Sequence, residues 1–279
     1  MKTSLIGVAA AVFLASSAYS ADLYQPEPQP IDAPEVTVQE ASGWYLRGDV
    51  GYSFNKLKGA NYFQGSNALL NDFDDASLKD SFSLGAGVGY QVNNYLRTDL
   101  TFDYMFKSDF HGRTFGVCGD GDAQPFADCS SSDETSLRAY TLMANAYVDL
   151  GTYGYFTPYV GAGIGGAYVK WNNLKNSICD DPYNPGCTTT THNGKGSWRF
   201  AYALMAGATI DVTCNIKADA GYRYRHIEGG DMFGYNNSGG PGYDKGLDSH
   251  ELRLGARYVF SGCEQPVAYE PPMQPLVYK

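Results

Sequence analysis

His226, Glu228 and His250 have the donor types of a transition-metal site. An imidazole placed beside a serine could also activate that hydroxyl for attack on an ester, the chemistry of a rim-located hydrolase acting on lipid A. No serine of matching parity stands beside either histidine, and we read all three as interfacial polar side chains. Asp120, Asp122 and Asp128 offer oxygen ligands for Ca²⁺ but lack the EF-hand spacing, so they read as solvated acids. Gly161, Gly163 and Gly166 spell G-x-G-x-x-G within "PYVGAGIGGAYVKW". A phosphate-cradling turn needs a buried strand before those glycines and a helix after them. Neither is visible. Val160, Ala162, Ile164 and Tyr168 alternate with Gly161, Gly163, Gly165 and Ala167, a period of two that marks a strand with two unlike faces. No cofactor, metal or catalytic residue is expected.

The same alternation recurs in eight segments. "WYLRGDVGYSF", "SFSLGAGVGYQV", "YLRTDLTFDYMF" and "AYTLMANAYVDL" precede this one, and "SWRFAYALMAGATIDV", "IKADAGYRYR" and "ELRLGARYVF" follow it. In each, large apolar side chains take the even positions. Small or charged residues take many of the odd ones. Runs of about ten residues with this dyad repeat are the pattern of a transmembrane β-barrel. The expected fold is therefore an all-β, eight-stranded antiparallel transmembrane barrel.

A soluble barrel with its apolar face inward is the competing arrangement. Three features separate the two. Connections at 93–94, 151–156 and 213–215 are short, whereas 55–80, 107–136, 172–196 and 227–248 are long, as for periplasmic turns and extracellular loops. Aromatics gather at both strand ends, as in interfacial girdles. The polar face carries glycine where a water-facing surface usually carries Lys and Glu.

Energetics assign the faces. A Lys or Arg facing lipid at the midplane costs about 2–4 kcal/mol, so the odd residues are expected inside. Arg47, Arg97, Arg199, Lys217, Arg223, Arg225, Arg253 and Arg257 would there meet Asp49, Asp99, Asp103, Asp149, Asp211, Asp219 and Glu251. Buried charges must be paired, and eight strands leave room only for side chains. The expectation is a salt-bridged plug, with a narrow low-conductance pore as an alternative. Arg138 and Lys170 fall at outer strand ends on the lipid-facing parity, where they could meet lipopolysaccharide phosphates.

Residues 1–20 read as a secretory signal peptide: Lys2, an apolar run from Leu5 to Leu14, and small residues before Ala21. The 279-residue chain carries 20 Lys and Arg against 30 Asp and Glu, a net charge of −10, and −11 once Lys2 is removed. That balance argues against nucleic acid as a partner. Six cysteines in an exported chain point to disulfides. The barrel reading pairs Cys118 with Cys129, Cys179 with Cys187, and Cys214 with Cys263, the last pair at the periplasmic rim.

"GWYLRGDVGYSF", "PYVGAGIGGAYV" and "HELRLGARYVF" resemble the outer-membrane β-barrel surface-antigen family of alphaproteobacteria, opacity-protein-like in the wider sense, over residues 44–260. The resemblance implies an abundant, non-enzymatic envelope protein with surface-antigen or host-contact roles. It also implies that a terminal aromatic of the last strand, here Phe260, is read by the barrel assembly machinery, although Cys263–Lys279 extend past it. Pro-rich stretches at 21–43 and 261–279 read as extended periplasmic segments and could contact peptidoglycan.

Overall fold

Alternating segments of this length satisfy their backbone groups only by pairing edge to edge, and they do so throughout the structure. The computed structural model describes residues 42–64, 69–118, 127–179, 187–236, 239–260 and 262–263, all within the unit Gln39–Lys279. The expected signal peptide and most of both Pro-rich segments lie outside the described residues.

The fold is all-β. In chain order the described strands are β1 (Gly43–Leu57), β2 (Ala60–Gln64), β3 (Leu69–Asp72), β4 (Asp75–Leu78), β5 (Ser81–Gln91), β6 (Leu96–Cys118), β7 (Ala127–Asp149) and β8 (Phe156–Trp171). They continue as β9 (Leu174–Cys179), β10 (Thr188–His192), β11 (Gly196–Asp211), β12 (Ile216–Ile227), β13 (Gly230–Phe233), β14 (Gly242–Asp244) and β15 (Leu247–Val259). Antiparallel ladders join β1, β5, β6, β7, β8, β11, β12 and β15 in turn, and β15 pairs back onto β1 from Tyr45↔Val259 to Leu57↔Leu247. These eight strands form a ring. They are the eight segments whose alternation is legible in the sequence.

The four long connections were expected as loops, and the structure corrects this: much of their length is strand. β6 and β7 run 23 residues each and stay paired out to Cys118↔Ala127. β4 pairs with the extended part of β6, β9 with that of β7, and β10 with β9. β13, β14, β2 and β3 form a separate four-stranded sheet. Together these additions make a lobe at the ring end opposite the short turns. A β-bulge sits where the ring passes into the lobe. Met105 opposes Ala139 and Ser108 opposes Leu137, so Phe106 and Lys107 together face the single residue Arg138.

Two of the expected disulfides are described. Cys179–Cys187 joins the ends of β9 and β10, with Cα atoms 4.4 Å apart. Cys214–Cys263 ties the turn before β12 to the residues after β15, with Cα atoms 5.0 Å apart. The side chains of Cys118 and Cys129 lie outside the described residues.

Candidate functional site

The ring has two unlike faces. Trp44, Leu46, Val50, Phe82, Leu84, Leu100, Phe102, Leu142, Ile164, Leu204 and Leu254 are exposed on its outside. The inside is ionic over the half nearest the short turns. There Arg47, Arg97, Arg223, Arg225, Arg253 and Arg257 are buried with Asp49, Asp99, Asp103, Asp149, Asp219 and Glu251, six cations against six carboxylates.

Their contacts form a connected system. Arg47 holds Asp49 at 2.7 Å and Asp99 at 2.8 Å. Arg253 reaches Asp49 at 3.1 Å, Asp103 at 3.3 Å and Glu251 at 3.5 Å. Arg223 bridges Asp103 and Glu251, each at 2.8 Å, and Arg225 lies 3.8 Å from Glu251. Nearer the short turns, Arg257 pairs with Asp219 at 2.7 Å and Arg97 with Asp149 at 3.1 Å. Neutral donors complete the carboxylates. Tyr45 and Asn145 donate to Asp99, Ser53 and Ser83 to Glu251, and Thr209 to Asp219. The Arg97 guanidinium also lies 4.4 Å from the Tyr147 ring centre and 4.5 Å from that of Tyr159. Beside this system a void lined by Arg47, Tyr147, Met205 and Arg253 has room for at most a single water, about 10 Å³.

The inward glycines have a steric role. A Cβ on Gly89 would collide with the Tyr45 ring, and one on Gly163 with the Asn145 amide. In the G-x-G-x-x-G run of β8, Gly161 and Gly163 thus make room for the inward Tyr147 and Asn145 of the preceding strand β7, whereas Gly166 faces outward beside Trp198. The run does not form a turn.

Three of the expected interior ions sit elsewhere. Asp211 and Lys217 pair with each other at 2.6 Å but are only half-buried, at the rim beside a short turn. Arg199 is buried, yet it belongs to the lobe. It holds Asp244 at 2.7 Å and donates to the Asp231 carbonyl at 2.8 Å. The Trp171 indole also donates to Asp244, at 3.0 Å.

Sequence reasoning missed the other half of the interior. Met105, Leu137, Ala139, Met143, Ala167, Val169, Trp171, Ala201 and Ala203 hold odd positions, and they form one buried apolar cluster with Phe73, Phe110, Leu174, Met232 and Phe233 from the lobe. Its aromatic members run in contact from Tyr62 through Phe73 and Phe110 to Trp171, with ring centres 5.1, 5.9 and 5.7 Å apart. The signal was present as apolar residues at odd positions near the strand ends.

On the outer face, His226 bonds Asp248, and the Tyr222 hydroxyl bonds His250. Glu228 lies 3.9 Å from His226. His226 was expected to face lipid, but neighbouring side chains bury it. Ser249, the nearest serine in sequence, is fully buried and bonds Asn55. Among the described residues no group of three or more His, Cys, Asp or Glu is placed to hold a metal ion. Arg138 and Lys170 are exposed and directly opposite one another across β7 and β8. Phe260 is exposed, and its amide donates to the Trp44 carbonyl at 3.1 Å.

The model of the outer membrane protein beta-barrel domain matches residues 6–260. An uncharacterized protein of Brucella abortus is 41% identical over 277 residues, covering 88% of this chain and 93% of its own. A protein of Rickettsia conorii, described provisionally as an adhesin, is 30% identical over 187 residues, covering 65% of this chain and 67% of its own. The outer membrane protein PagN of Salmonella typhimurium is 28% identical over 236 residues, covering 81% and 93%.

Proposed function

We propose, because the chain belongs to the outer membrane protein beta-barrel domain family, that it crosses the bacterial outer membrane with its eight ring strands and presents the lobe outside the cell as a contact surface for host cells or other environmental surfaces. Outer-membrane localisation follows from the family. The orientation rests on the short turns lying at one end and the strand-rich lobe at the other.

The observation that carries the reading is the lobe itself. It is a packed structure whose apolar core continues into the ring, while Leu70, Phe115, Ile178 and Tyr235 project from it into solvent. Exposed aromatic and aliphatic groups on a rigid support are suited to binding a macromolecular surface. The provisional description of the Rickettsia conorii relative as an adhesin agrees with this role. The ion network supports a non-enzymatic role, filling the ring interior and holding the envelope barrel rigid. In this reading Phe260 is the strand-end aromatic met by the assembly machinery, and the Pro-rich segments reach peptidoglycan.

The test is adherence of a non-adherent bacterium that expresses the chain at its surface. Binding to cultured host cells is expected to rise above the empty-vector control, and to fall at least threefold when Phe115→Ser and Tyr235→Ser are combined at equal surface abundance. Adherence equal to the control would overturn the contact role.

A further inference from the structure

We infer that Arg138 and Lys170, with Lys107 beside them, form a site on the lipid-facing wall for the phosphate groups of an outer-leaflet glycolipid. The inference rests on the transmembrane orientation proposed above and names one partner for it.

Arg138 of β7 and Lys170 of β8 occupy one antiparallel register position. Residues directly opposite in such a pair have Cβ atoms about 5 Å apart, and like charges there repel. Both side chains are exposed, and among the described residues neither has an ion-pair partner. The neighbouring carboxylates are engaged elsewhere. Asp109 holds Lys107 at 2.8 Å, and Glu134 lies 3.9 Å from His111 and opposite Lys175. On the far side of Lys170 the partner is Gly196, which brings no charge.

The bulge supplies the third cation. Without it, strict alternation would turn Lys107 inward beside buried Met105. The extra residue leaves both Phe106 and Lys107 exposed opposite Arg138. Three adjacent strands thus present a basic row at one level, although Lys107 shares its charge with Asp109.

That level is what a lipid phosphate requires. Two residues toward the membrane, Tyr140 opposes Tyr168, and Tyr168 opposes Trp198. Tyr104 and Tyr140 are in ring contact at 5.0 Å, Tyr168 and Trp198 at 5.5 Å. An outward aromatic row of this kind marks the headgroup boundary. The cations lie about 7 Å beyond it, at the depth of the phosphates, while the acyl chains would cover the aromatics and Leu142 below. A divalent anion would replace the cross-strand repulsion with charge-assisted hydrogen bonds to the Arg138 guanidinium.

Native mass spectrometry of the full chain, released from the outer membrane in mild detergent, reads the bound lipid. Wild type is expected to retain bisphosphorylated lipid A at least tenfold above the Arg138→Gln/Lys170→Gln variant. Arg138→Lys/Lys170→Arg should restore most of the retention. A heat-modifiable band shared by all variants shows that the barrel folded. Lipid A stripped of phosphate should bind wild type and the Gln variant equally and weakly. Equal retention of bisphosphorylated lipid A by wild type and the Gln variant would overturn the site. Displacement of the lipid by millimolar inorganic phosphate would also overturn it, because the site would then take free phosphate. The measurement uses no host cell, so its failure is distinct from failure of the adherence test.

Discussion

Asp133 lies in the lobe part of β7, where Asn176 donates to it at 2.7 Å and Ser131 at 2.9 Å. Burial raises its carboxyl above the ordinary carboxylate range, against the opposing effect of those hydrogen bonds and of nearby His192. The folded lobe therefore holds this proton more tightly than the unfolded chain does. The associated stability is fully present below the unfolded value of about 3.9, and it is lost as pH rises through the raised folded value. Asp133→Asn removes the titration and keeps the shape. At pH 7 the lobe of this variant is expected to unfold at higher urea than wild type, with the difference shrinking toward pH 4; tryptophan fluorescence at the two pH values checks it. A variant weaker than wild type at pH 7 would contradict the sign. At this scale the sequence was informative about charge in the ring: parity alone assigned Arg47, Arg97, Arg223, Arg253 and Arg257 to the face on which they are buried. Parity could not place Arg199, because its partner Asp244 comes from a distant connection, at a sequence separation of 45.

β6 and β7 act as ring strands at one end and, flanked by β4 and β9, as part of the lobe at the other, and the Trp171–Phe110 contact joins the two regimes. Trp171 is almost fully buried, and its indole bonds Asp244. Trp171→Ala is expected to destabilise the lobe by about 3–5 kcal/mol through the cavity it opens, and it also leaves Asp244 without that donor. Protease treatment of intact cells should then cut within 107–136 or 172–196 in the variant and spare both in wild type, while the ring keeps its heat-modifiable mobility. Cleavage equal to wild type would show that the lobe does not depend on this contact. The ring strands were legible because each has one face of large apolar residues and one of small or charged ones. Their continuations were not. Beyond Met105 the bulge shifts the parity, and sequences such as "SSSDETS" carry no hydrophobic period because their pairing depends on partner strands distant in sequence. The apolar upper interior was obscured for a related reason. Met143, Val169 and Trp171 fall on the face that elsewhere bears ions, and sequence alone does not show where along a strand the change occurs.

For the whole molecule, six guanidinium groups and six carboxylates fill one half of the ring interior and apolar side chains fill the other. An ion passing through would have to separate buried pairs and then cross a dry segment, each step unfavourable at low dielectric. Planar-bilayer recordings of the purified protein are expected to show no steps above a few tens of picosiemens; large, stable openings would refute the closed interior. The shared apolar cluster also bears on how the lobe can vary. Phe110, Leu174, Met232 and Phe233 of its strands are committed to the packing that anchors it to the ring, so an antibody or phage that meets the cell can select changes only at the exposed positions around them. Antigenic drift in this protein should be confined to the exposed residues of the lobe, and linear peptide immunogens would also present side chains that no intact cell displays.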